Sequence, residues 1–453
     1  MQPRRVVVIG AGLAGLEAAL RLQRAGVAVV VIERELRPGG RAAGSLLHGF
    51  RFTAGAHAFR LADRRFRERV VSSGLGGEIE LFPPDAEGQL RRDRVSTIHP
   101  TKLRGVARIP GAGWRVLRLA RFRRLLLRYA RLLDGEAPER AAGLDDRSAL
   151  EFGRLYFGRP LAERWIEATL AEVTLGDARE TSRVLFLLRH GLGAGAQRAA
   201  LRPGVGALVE AMAKDTTLQL GVDATALERS AGGGVRILSA GHAASALEAD
   251  AVVCATPPRE AARIAEALLS HAERVFFDES RGGASVVLSV ALACERLLGP
   301  RRVRIAPVEG VPLSHVAIEV GSRGGAIPTG NAVVTLIACD AWSRPHLAAA
   351  ADVVEKELLV HGERVVPALA HTPLFTQLAR WECAYPHFEV GRFRAIERFQ
   401  AVQEQARRDG RRLYFAGDYL VGPSMEGALA SGARAAQAVL TDLGVQAPPA
   451  ERP

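Results

Sequence analysis

Residues 5–15 read RVVVIGAGLAG, and this stretch near the start of the chain decides the fold. Residues 6–9 are consecutive apolar residues, which is typical of a strand buried on both faces of a parallel sheet. Glycines follow at positions 10, 12 and 15, and a helical pattern then runs to Gly26. A second apolar run, residues 27–32, ends in the acid Glu33. The order strand, glycine turn, helix, strand, acid predicts a doubly wound α/β domain.

The spacing of these residues suits a dinucleotide. Gly10 permits a tight turn, Gly12 lets a pyrophosphate approach the backbone, and Gly15 allows the helix to pack closely on the strand. The N-terminus of the helix then faces the phosphate charge. Glu33 lies 18 residues after Gly15, where it can accept hydrogen bonds from an adenosine ribose. The predicted contacts of this motif are Gly10, Gly12, Leu13, Ala14, Gly15 and Glu33.

The residues after Glu33 favour FAD over NAD. Residues 34–41 read RELRPGGR, and the glycine pair resembles the second glycine motif of the flavin-containing amine oxidase superfamily, which continues the diphosphate site toward the flavin. Residues 49–57, GFRFTAGAH, resemble the strand and glycine turn that run beneath the isoalloxazine in that family, although Thr53 stands where an acid is common. The resemblance implies FAD as the cofactor, with contacts from Arg34, Gly40, Arg41, Gly55, Ala56 and His57.

A third motif lies near the other end of the chain. Residues 413–440 read LYFAGDYLVGPSMEGALASGARAAQAVL, a short strand followed by a helix of small residues, and closely resemble the C-terminal flavin signature of the same superfamily. Asp418 suits a hydrogen bond from a flavin ribityl hydroxyl, and the helix that begins near Met425 would aim its free N–H groups at the flavin. The contacts implied here are Gly417, Asp418, Ser424, Met425, Glu426 and Ala428.

Segments in the middle of the chain also resemble this superfamily. Residues 201–208, LRPGVGAL, resemble the turn that re-enters the FAD domain, and Val222 occupies a position that usually contacts adenine. Residues 145–182 and 380–391 resemble the substrate domain of protoporphyrinogen oxidases. We predict a Rossmann-like FAD domain of the glutathione-reductase type and an α+β substrate domain with a helical insertion. The predicted boundaries are 1–96, 200–262 and 384–445 for the FAD domain, 97–199 for the helical part, 263–383 for the sheet part and 446–453 for a disordered tail.

Departures from the relatives bear on the reaction. Monoamine oxidases carry a tyrosine before the Met-Glu-Gly-Ala run and amine-oxidising relatives commonly keep a lysine near flavin N5, whereas this chain has Ser424 and no lysine between residues 215 and 355. Both differences weigh against an amine, which an aromatic cage would attract. Hydroxysqualene dehydroxylases and carotenoid desaturases share the C-terminal ending and use apolar substrates. We predict two-electron oxidation of a lipophilic or macrocyclic molecule, with oxygen or a quinone as acceptor. The alternatives are an amine oxidase and a non-catalytic flavin-binding partner subunit.

The flavin would supply the redox chemistry, so no dedicated acid–base pair is required. The candidate catalytic side chains are His57, Tyr385 and Tyr419. His57 suits a proton shuttle, with a structural hydrogen bond as the alternative, and the tyrosines suit the substrate face, with packing as the alternative. Cys383 lies near the position of the covalent flavin link in monoamine oxidases, but its surroundings better match the W..A.P pattern of the protoporphyrinogen oxidase group. That match favours an inert thiol and non-covalent FAD.

The positive charge of the chain is concentrated in one segment. The net charge is +12, and residues 101–140 hold eleven basic against three acidic side chains. The rest is nearly balanced, which argues against a nucleic-acid partner. Within residues 114–133, WRVLRLARFRRLLLRYARLL, arginines recur on one side of a helix and apolar residues on the other. The segment is either the solvated face of a core-packed helix or a helix that lies on anionic lipid.

The cysteines of the chain indicate its compartment. The four cysteines are far apart and form no CxxC pair, so they predict neither a disulfide framework nor a metal site and fit a reducing environment. No stretch reaches the roughly 18 apolar residues that span a bilayer. We expect a cytoplasmic protein, lying at the inner face of the membrane if the basic helix binds lipid.

Overall fold

The structure is a computed structural model that describes residues 4–53, 55, 57–83, 86–97, 112–175, 178–191, 197–230, 232–241, 246–293, 297 and 299–446. Its strands are β1 (Arg5–Ile9), β2 (Ala28–Glu33), β3 (Gly44–Leu47), β4 (Phe50–Thr53), β5 (Phe59–Arg60), β6 (Ile79–Leu81), β7 (Glu87–Arg91), β8 (Arg94–Thr97), β9 (Arg198–Leu201), β10 (Leu218–Leu220), β11 (Val222–Arg229), β12 (Val235–Gly241), β13 (Ala246–Ala249), β14 (Ala251–Cys254), β15 (Gly282–Ala293), β16 (Arg302–Arg304), β17 (Leu313–Val320), β18 (Asn331–Ala338), β19 (Phe375–Pro386) and β20 (Leu413–Phe415). Its α-helices are α1 (Leu13–Arg24), α2 (Arg64–Ser72), α3 (Arg118–Arg128), α4 (Ala149–Phe157), α5 (Arg159–Leu161), α6 (Glu167–Thr174), α7 (Arg183–Gly191), α8 (Val205–Lys214), α9 (Pro258–Ala265), α10 (His271–Asp278), α11 (Asp340–His346), α12 (Ala351–Glu363), α13 (Arg392–Arg408) and α14 (Met425–Leu443).

A parallel sheet brings the two ends of the chain together. Its strand order is β10-β2-β1-β14-β20, so β14 pairs with β1 on one side and with β20 on the other. Helices α1 and α14 pack closely, because a Cβ added at Gly432 would lie 2.1 Å from the carbonyl oxygen of Ala14. The glycine motif near the start of the chain and the signature near its end therefore lie in one body.

A second sheet has seven strands in the order β19-β15-β18-β17-β16-β7-β8. Its pairs are antiparallel except that β7 lies parallel to β16. Strands β7 and β8 belong to this sheet, although the predicted boundary at residue 96 placed nearly all of both strands in the FAD domain. The boundary was wrong because these strands complete the hydrogen-bonded edge of β16. Of the predicted tail, only residue 446 is described.

The helical part of the chain packs around aromatic side chains. Phe122 of α3 contacts Phe157 and Phe186 at ring-centroid distances of 5.2 and 5.6 Å, and Trp165 packs on both of these rings. Helix α3 spans fewer residues than the predicted 114–133. Leu119 and Phe122 of this helix are buried in the core, whereas Leu127 is exposed.

Candidate active site

Three glycines of the predicted flavin motifs face open space. A Cβ added at Gly12, Gly40 or Gly55 would meet no atom within 4 Å, whereas one at Gly15 would lie 1.9 Å from the carbonyl oxygen of Gly10. Gly10 has a φ of +101° and makes the tight turn that the motif predicts. Gly12 and Gly39 form a parallel β-bridge, so Gly12 and Gly40 form a cradle in which a flat group can lie against backbone, and Gly10 and Gly15 hold helix α1 on strand β1.

Glu33 lies beside this cradle, at the carboxyl end of β2. Its Oε2 accepts the N–H of Ala11 at 2.7 Å and its Oε1 accepts that of Glu35 at 3.0 Å. Each carboxylate oxygen has a further lone pair, so the group can still accept ribose hydroxyls. The Gly221 N–H donates to the carbonyl of Glu35 at 3.2 Å, which brings the start of β11 at Val222 to the same edge. These residues fit the adenosine end of FAD.

Arg34, the neighbour of Glu33, lies at the surface. Its side chain is more than half exposed and lies 3.5 Å from Glu35 and 4.0 Å from Glu260. These surface pairs give no support to the predicted cofactor contact. Ala56, another predicted contact, lies outside the described residues.

Arg41 and Asp418 connect the two flavin motifs. Arg41 donates to both carboxylate oxygens of Asp418, at 2.8 and 2.9 Å, and also to the carbonyl of Ala384 at 2.9 Å. Burial alone would lower the pKa of Arg41, but the charge of Asp418 and its hydrogen bonds raise it. Each Asp418 oxygen keeps one lone pair for a hydroxyl donor, so the pair fits the predicted contact with the ribityl chain.

The predicted contacts at the N-terminus of helix α14 include a side chain that caps the helix and backbone N–H groups that stay free. Ser424 Oγ caps the helix by accepting the N–H of Gly427 at 3.0 Å. The N–H groups of Met425 and Glu426 have no acceptor within the helix, because the first turn lacks preceding carbonyls. Ala428 lies in the same turn and donates to the carbonyl of Ser424. The free N–H groups fit an electron-rich edge of a flavin.

The Glu426 side chain is bound to helix α2. Its carboxylate accepts the N–H groups of Arg65 and Phe66, at 3.0 and 2.7 Å, and so caps helix α2. Both oxygens are thus taken up by N–H groups of α2, whereas the predicted contact of Glu426 with the cofactor is through its backbone N–H and stays a prediction. Burial raises the pKa of Glu426 to about 7.

The two candidate tyrosines occupy different environments. Tyr419 is 1% exposed, packs in the apolar core with its ring across Gly417, and has a buried hydroxyl without a hydrogen-bond partner. This burial fits packing, the alternative expected for Tyr419, better than a place on the substrate face. The Tyr385 hydroxyl, by contrast, lies within the electrostatic influence of both Arg41–Asp418 and Arg302, and burial raises its pKa.

His57 lines a pocket next to Gly55. The pocket has a cavity volume of about 50 Å³, is partly open to solvent, and lies between β9, β17 and the loop after β17. His57 is 7% exposed, its Nδ1 lies 3.1 Å from Glu319 Oε2, and its Nε2 has no hydrogen-bond partner among the described residues. Glu319 lies 262 residues from His57, and no motif in the sequence indicated it.

A buried charge network lies behind this pocket. Glu172 binds Arg198 and Arg302 through Oε1, at 2.5 and 2.9 Å, and Arg304 through Oε2 at 2.7 Å. Burial alone would raise the pKa of Glu172, but the three guanidinium groups hold it well below its usual range. Glu87 binds Arg198 and Arg304 at 2.6 and 2.9 Å. Sequence reasoning missed this network, since its members are single charges on separate elements.

Cys383 lies beside Arg41 but is packed against the backbone. A Cβ added at Gly282 would lie 2.2 Å from the Cys383 Sγ, and burial raises the pKa of the thiol. A protonated thiol is a weak nucleophile. Cys383 therefore fits the expected inert role.

Comparison with known proteins agrees with this geometry. A family model described as flavin containing amine oxidoreductase matches residues 13–440, so the chain belongs to this family. A phytoene desaturase (neurosporene-forming) from Rhodobacter capsulatus is 48% identical over 81 residues, which are 17% of this chain and 15% of that protein. The stretches matched in such curated relatives span only 11–16% of their length.

Solved structures extend the likeness to the whole fold. A protein from an Exiguobacterium species named for protoporphyrinogen oxidase has a TM-score of 0.75 at 18% identity, covering 98% of this chain and 100% of its own. Cyclohexylamine oxidase from Brevibacterium oxydans has a TM-score of 0.75 at 20% identity, with the same coverage. The predicted α/β architecture is confirmed. The protein is an FAD-dependent oxidoreductase.

Within the described ranges, no helix combines the length and the apolar character needed to cross a bilayer.

Proposed function

We propose that this protein carries out two-electron oxidation, by dehydrogenation or desaturation, of a lipophilic small molecule, with oxygen or a quinone as acceptor. The His57 pocket carries this proposal. Its walls include Phe82, Leu201, Ile318, Val320 and Ile327. Phe82 is the only phenyl ring among the described lining residues, so these residues provide no aromatic cage for an amine. The similar phytoene desaturases are named for a hydrocarbon substrate.

Bound FAD supplies the redox chemistry, and the chain holds and orients it. We assign the diphosphate to the backbone at Gly12 and Gly40, the adenosine ribose to Glu33, and the ribityl chain to Asp418 held by Arg41. The free N–H groups of α14 are assigned to the flavin ring. The FAD domain that we propose keeps the three predicted segments, except that the first ends before β7.

His57 is the residue that we assign to proton transfer. If Glu319 accepts the Nδ1 proton, Nε2 keeps its lone pair and can take a proton inside the pocket. A buried nitrogen without a partner is costly unless a ligand uses it. Tyr385 is assigned to the same side of the site, between the Arg41 pair and the buried charge network.

Anaerobic mixing of the holoenzyme with candidate substrates tests the proposal. Loss of the oxidised flavin absorbance with isoprenoids, porphyrinogens or unsaturated fatty acids, and none with amines, is the expected result. Reduction by amines alone would establish an amine oxidase. If no compound reduces a flavin that light still reduces in the presence of a sacrificial donor, the protein is a flavin-binding scaffold.

A second proposal concerns the basic helix, which we propose lies on an anionic membrane surface. Trp114, Leu117 and Leu127 are 63%, 67% and 76% exposed, although their neighbours Leu119 and Phe122 are buried. The exposed arginines of the segment surround these apolar side chains, and five of them are Arg121, Arg123, Arg124, Arg128 and Arg131. Apolar side chains set among cations suit the interface of an anionic bilayer.

A further inference from the structure

The His57 pocket contains more positive charge than its own carboxylates neutralise. Arg302 is 7% exposed, lines the pocket and has an Nε without a hydrogen-bond partner. Arg301 beside it is half-buried and forms no ion pair with any described residue. Of the pocket carboxylates, Glu319 is engaged by His57 and Glu80 is exposed at the rim. Arg302 pairs with Glu172 behind the pocket, and Arg202, which also lines the pocket, pairs with Glu78, so among the described residues Arg301 is left without an anion.

The network behind the pocket does not supply this anion. Four arginines pair with its three carboxylates: Arg60 with Asp63, Arg198 and Arg304 with both Glu87 and Glu172, and Arg302 with Glu172. Arg189 forms no ion pair with a described residue, and burial together with the charge of Arg60 lowers its pKa to about 9. Removal of positive charge from water is costly unless a counter-charge is present.

The remaining walls indicate what kind of anion fits. Phe82, Leu201, Ile318 and Ile327 line the pocket beside Arg301 and Arg302. An inorganic anion would leave these apolar side chains without a partner, whereas a hydrocarbon chain ending in a carboxylate would satisfy both kinds of surface. Guanidinium groups also match the planar carboxylate with two parallel hydrogen bonds.

We infer that the His57 pocket binds the carboxylate of a lipophilic acid, with Arg301 and Arg302 as the anion-binding residues. The inference rests on the proposed function for the lipophilic class and narrows the substrate to molecules with an acid group. Arg301 supplies a charge that no described residue pairs with, and Arg302 shares the single carboxylate of Glu172 with two other arginines.

Calorimetric titration of the oxidised holoenzyme with dodecanoate and with 1-dodecanol tests the inference. Dodecanoate should bind the wild type more tightly than dodecanol, and Arg301→Gln should weaken dodecanoate binding about tenfold or more. Dodecanol binding should be unchanged by this substitution. Arg323→Gln is the matched control, since Arg323 is an exposed arginine of the loop after β17 outside the pocket lining. Because Arg301 forms no ion pair in the part of the chain that the structure describes, the variant should fold as the wild type does.

Three results would overturn the inference: equal binding of acid and alcohol, no effect of Arg301→Gln, or equal effects of Arg301→Gln and Arg323→Gln. Inorganic phosphate that binds more tightly than dodecanoate, and depends on Arg301, would assign the site to a free anion instead. Flavin reduction is recorded separately. If neutral isoprenoids reduce the flavin but dodecanoate does not bind, the acid subsite is refuted and the proposed oxidation stands. If dodecanoate binds through Arg301 but no compound reduces the flavin, the proposed oxidation is refuted and the acid subsite stands.

Discussion

Arg41 and Asp418 lie 377 residues apart and form a two-point ion pair at distances of 2.8 and 2.9 Å. The pair joins the glycine motif after β2 to the signature after β20. Asp418 is buried, so its negative charge depends on the guanidinium group. The pair thus couples the stability of the domain to the shape of the proposed cofactor site.

Replacement of Arg41 should therefore lower both the stability of the fold and the affinity for FAD. Arg41→Met leaves Asp418 buried without a counter-charge, and we expect the free energy of unfolding of the apoprotein to fall by about 3 kcal/mol in urea. Arg51→Met is the control, because its pair with Glu210 is exposed at 3.4 Å and should contribute less than about 1 kcal/mol. Similar losses in the two variants would contradict a structural role for the Arg41 pair.

Two glycines of the first motif should respond differently to alanine. Gly12→Ala places its Cβ in open space at an ordinary φ of −76°, so the apoprotein should keep its melting temperature but bind FAD at least tenfold more weakly. Gly15→Ala forces a Cβ against the Gly10 carbonyl oxygen and should destabilise the fold itself. Gly143→Ala, also in open space, is the control. Unchanged FAD affinity in Gly12→Ala would show that the diphosphate does not lie there.

Glu426 should make stability depend on pH. Its folded-state pKa is raised to about 7, so the protonated form contributes stability that is fully present below the ordinary pKa of 4.5 and is lost as pH rises through 7. Glu426→Gln should remove this dependence, which can reach about 1.4 kcal/mol per pH unit. Urea unfolding of both proteins at pH 5 and pH 8 measures it. If the free energies of unfolding of the wild type and the variant differ by the same amount at both pH values, the raised pKa of Glu426 is refuted.

His57 should govern the rate of flavin reduction rather than the binding of flavin. With any substrate that reduces the wild type, His57→Gln should slow anaerobic reduction by about 10²-fold, because the proton acceptor is lost. Glu319→Gln should slow it less, because His57 remains in place. His371→Gln alters an exposed histidine and serves as control. A structural role for His57 would instead lower stability and leave the rate constant unchanged.

The basic helix should bind anionic vesicles through its exposed apolar side chains. Leu117→Ser combined with Leu127→Ser should reduce the fraction that sediments with phosphatidylglycerol vesicles severalfold, and Leu36→Ser should not, although Leu36 is 72% exposed. Binding should weaken with salt, since the arginines act over a Debye length of about 10 Å at 0.1 M. Equal sedimentation with phosphatidylcholine would exclude an electrostatic contribution.

The sequence predicted the parts of the site that depend on local backbone shape. Gly12, Gly40 and Gly55 can be recognised because only glycine leaves room at such turns, and Glu33 because it follows a buried strand at fixed spacing. The side-chain roles were less predictable. Tyr419 and Glu426 lie in a recognisable motif, yet one packs in the core and the other caps α2, because their partners Phe277 and Phe66 come from distant segments.

By itself, the sequence determined the α/β fold, the FAD motifs and the family, because strand, turn and helix patterns are local and repeat at fixed spacing. Only the tertiary structure decided that Glu319 supports His57, that Arg41 holds Asp418, and that Arg301 and Arg302 line the same apolar pocket. These relationships are set by which elements pack together in space. A single charged residue carries no sign of its partner until the chain has folded.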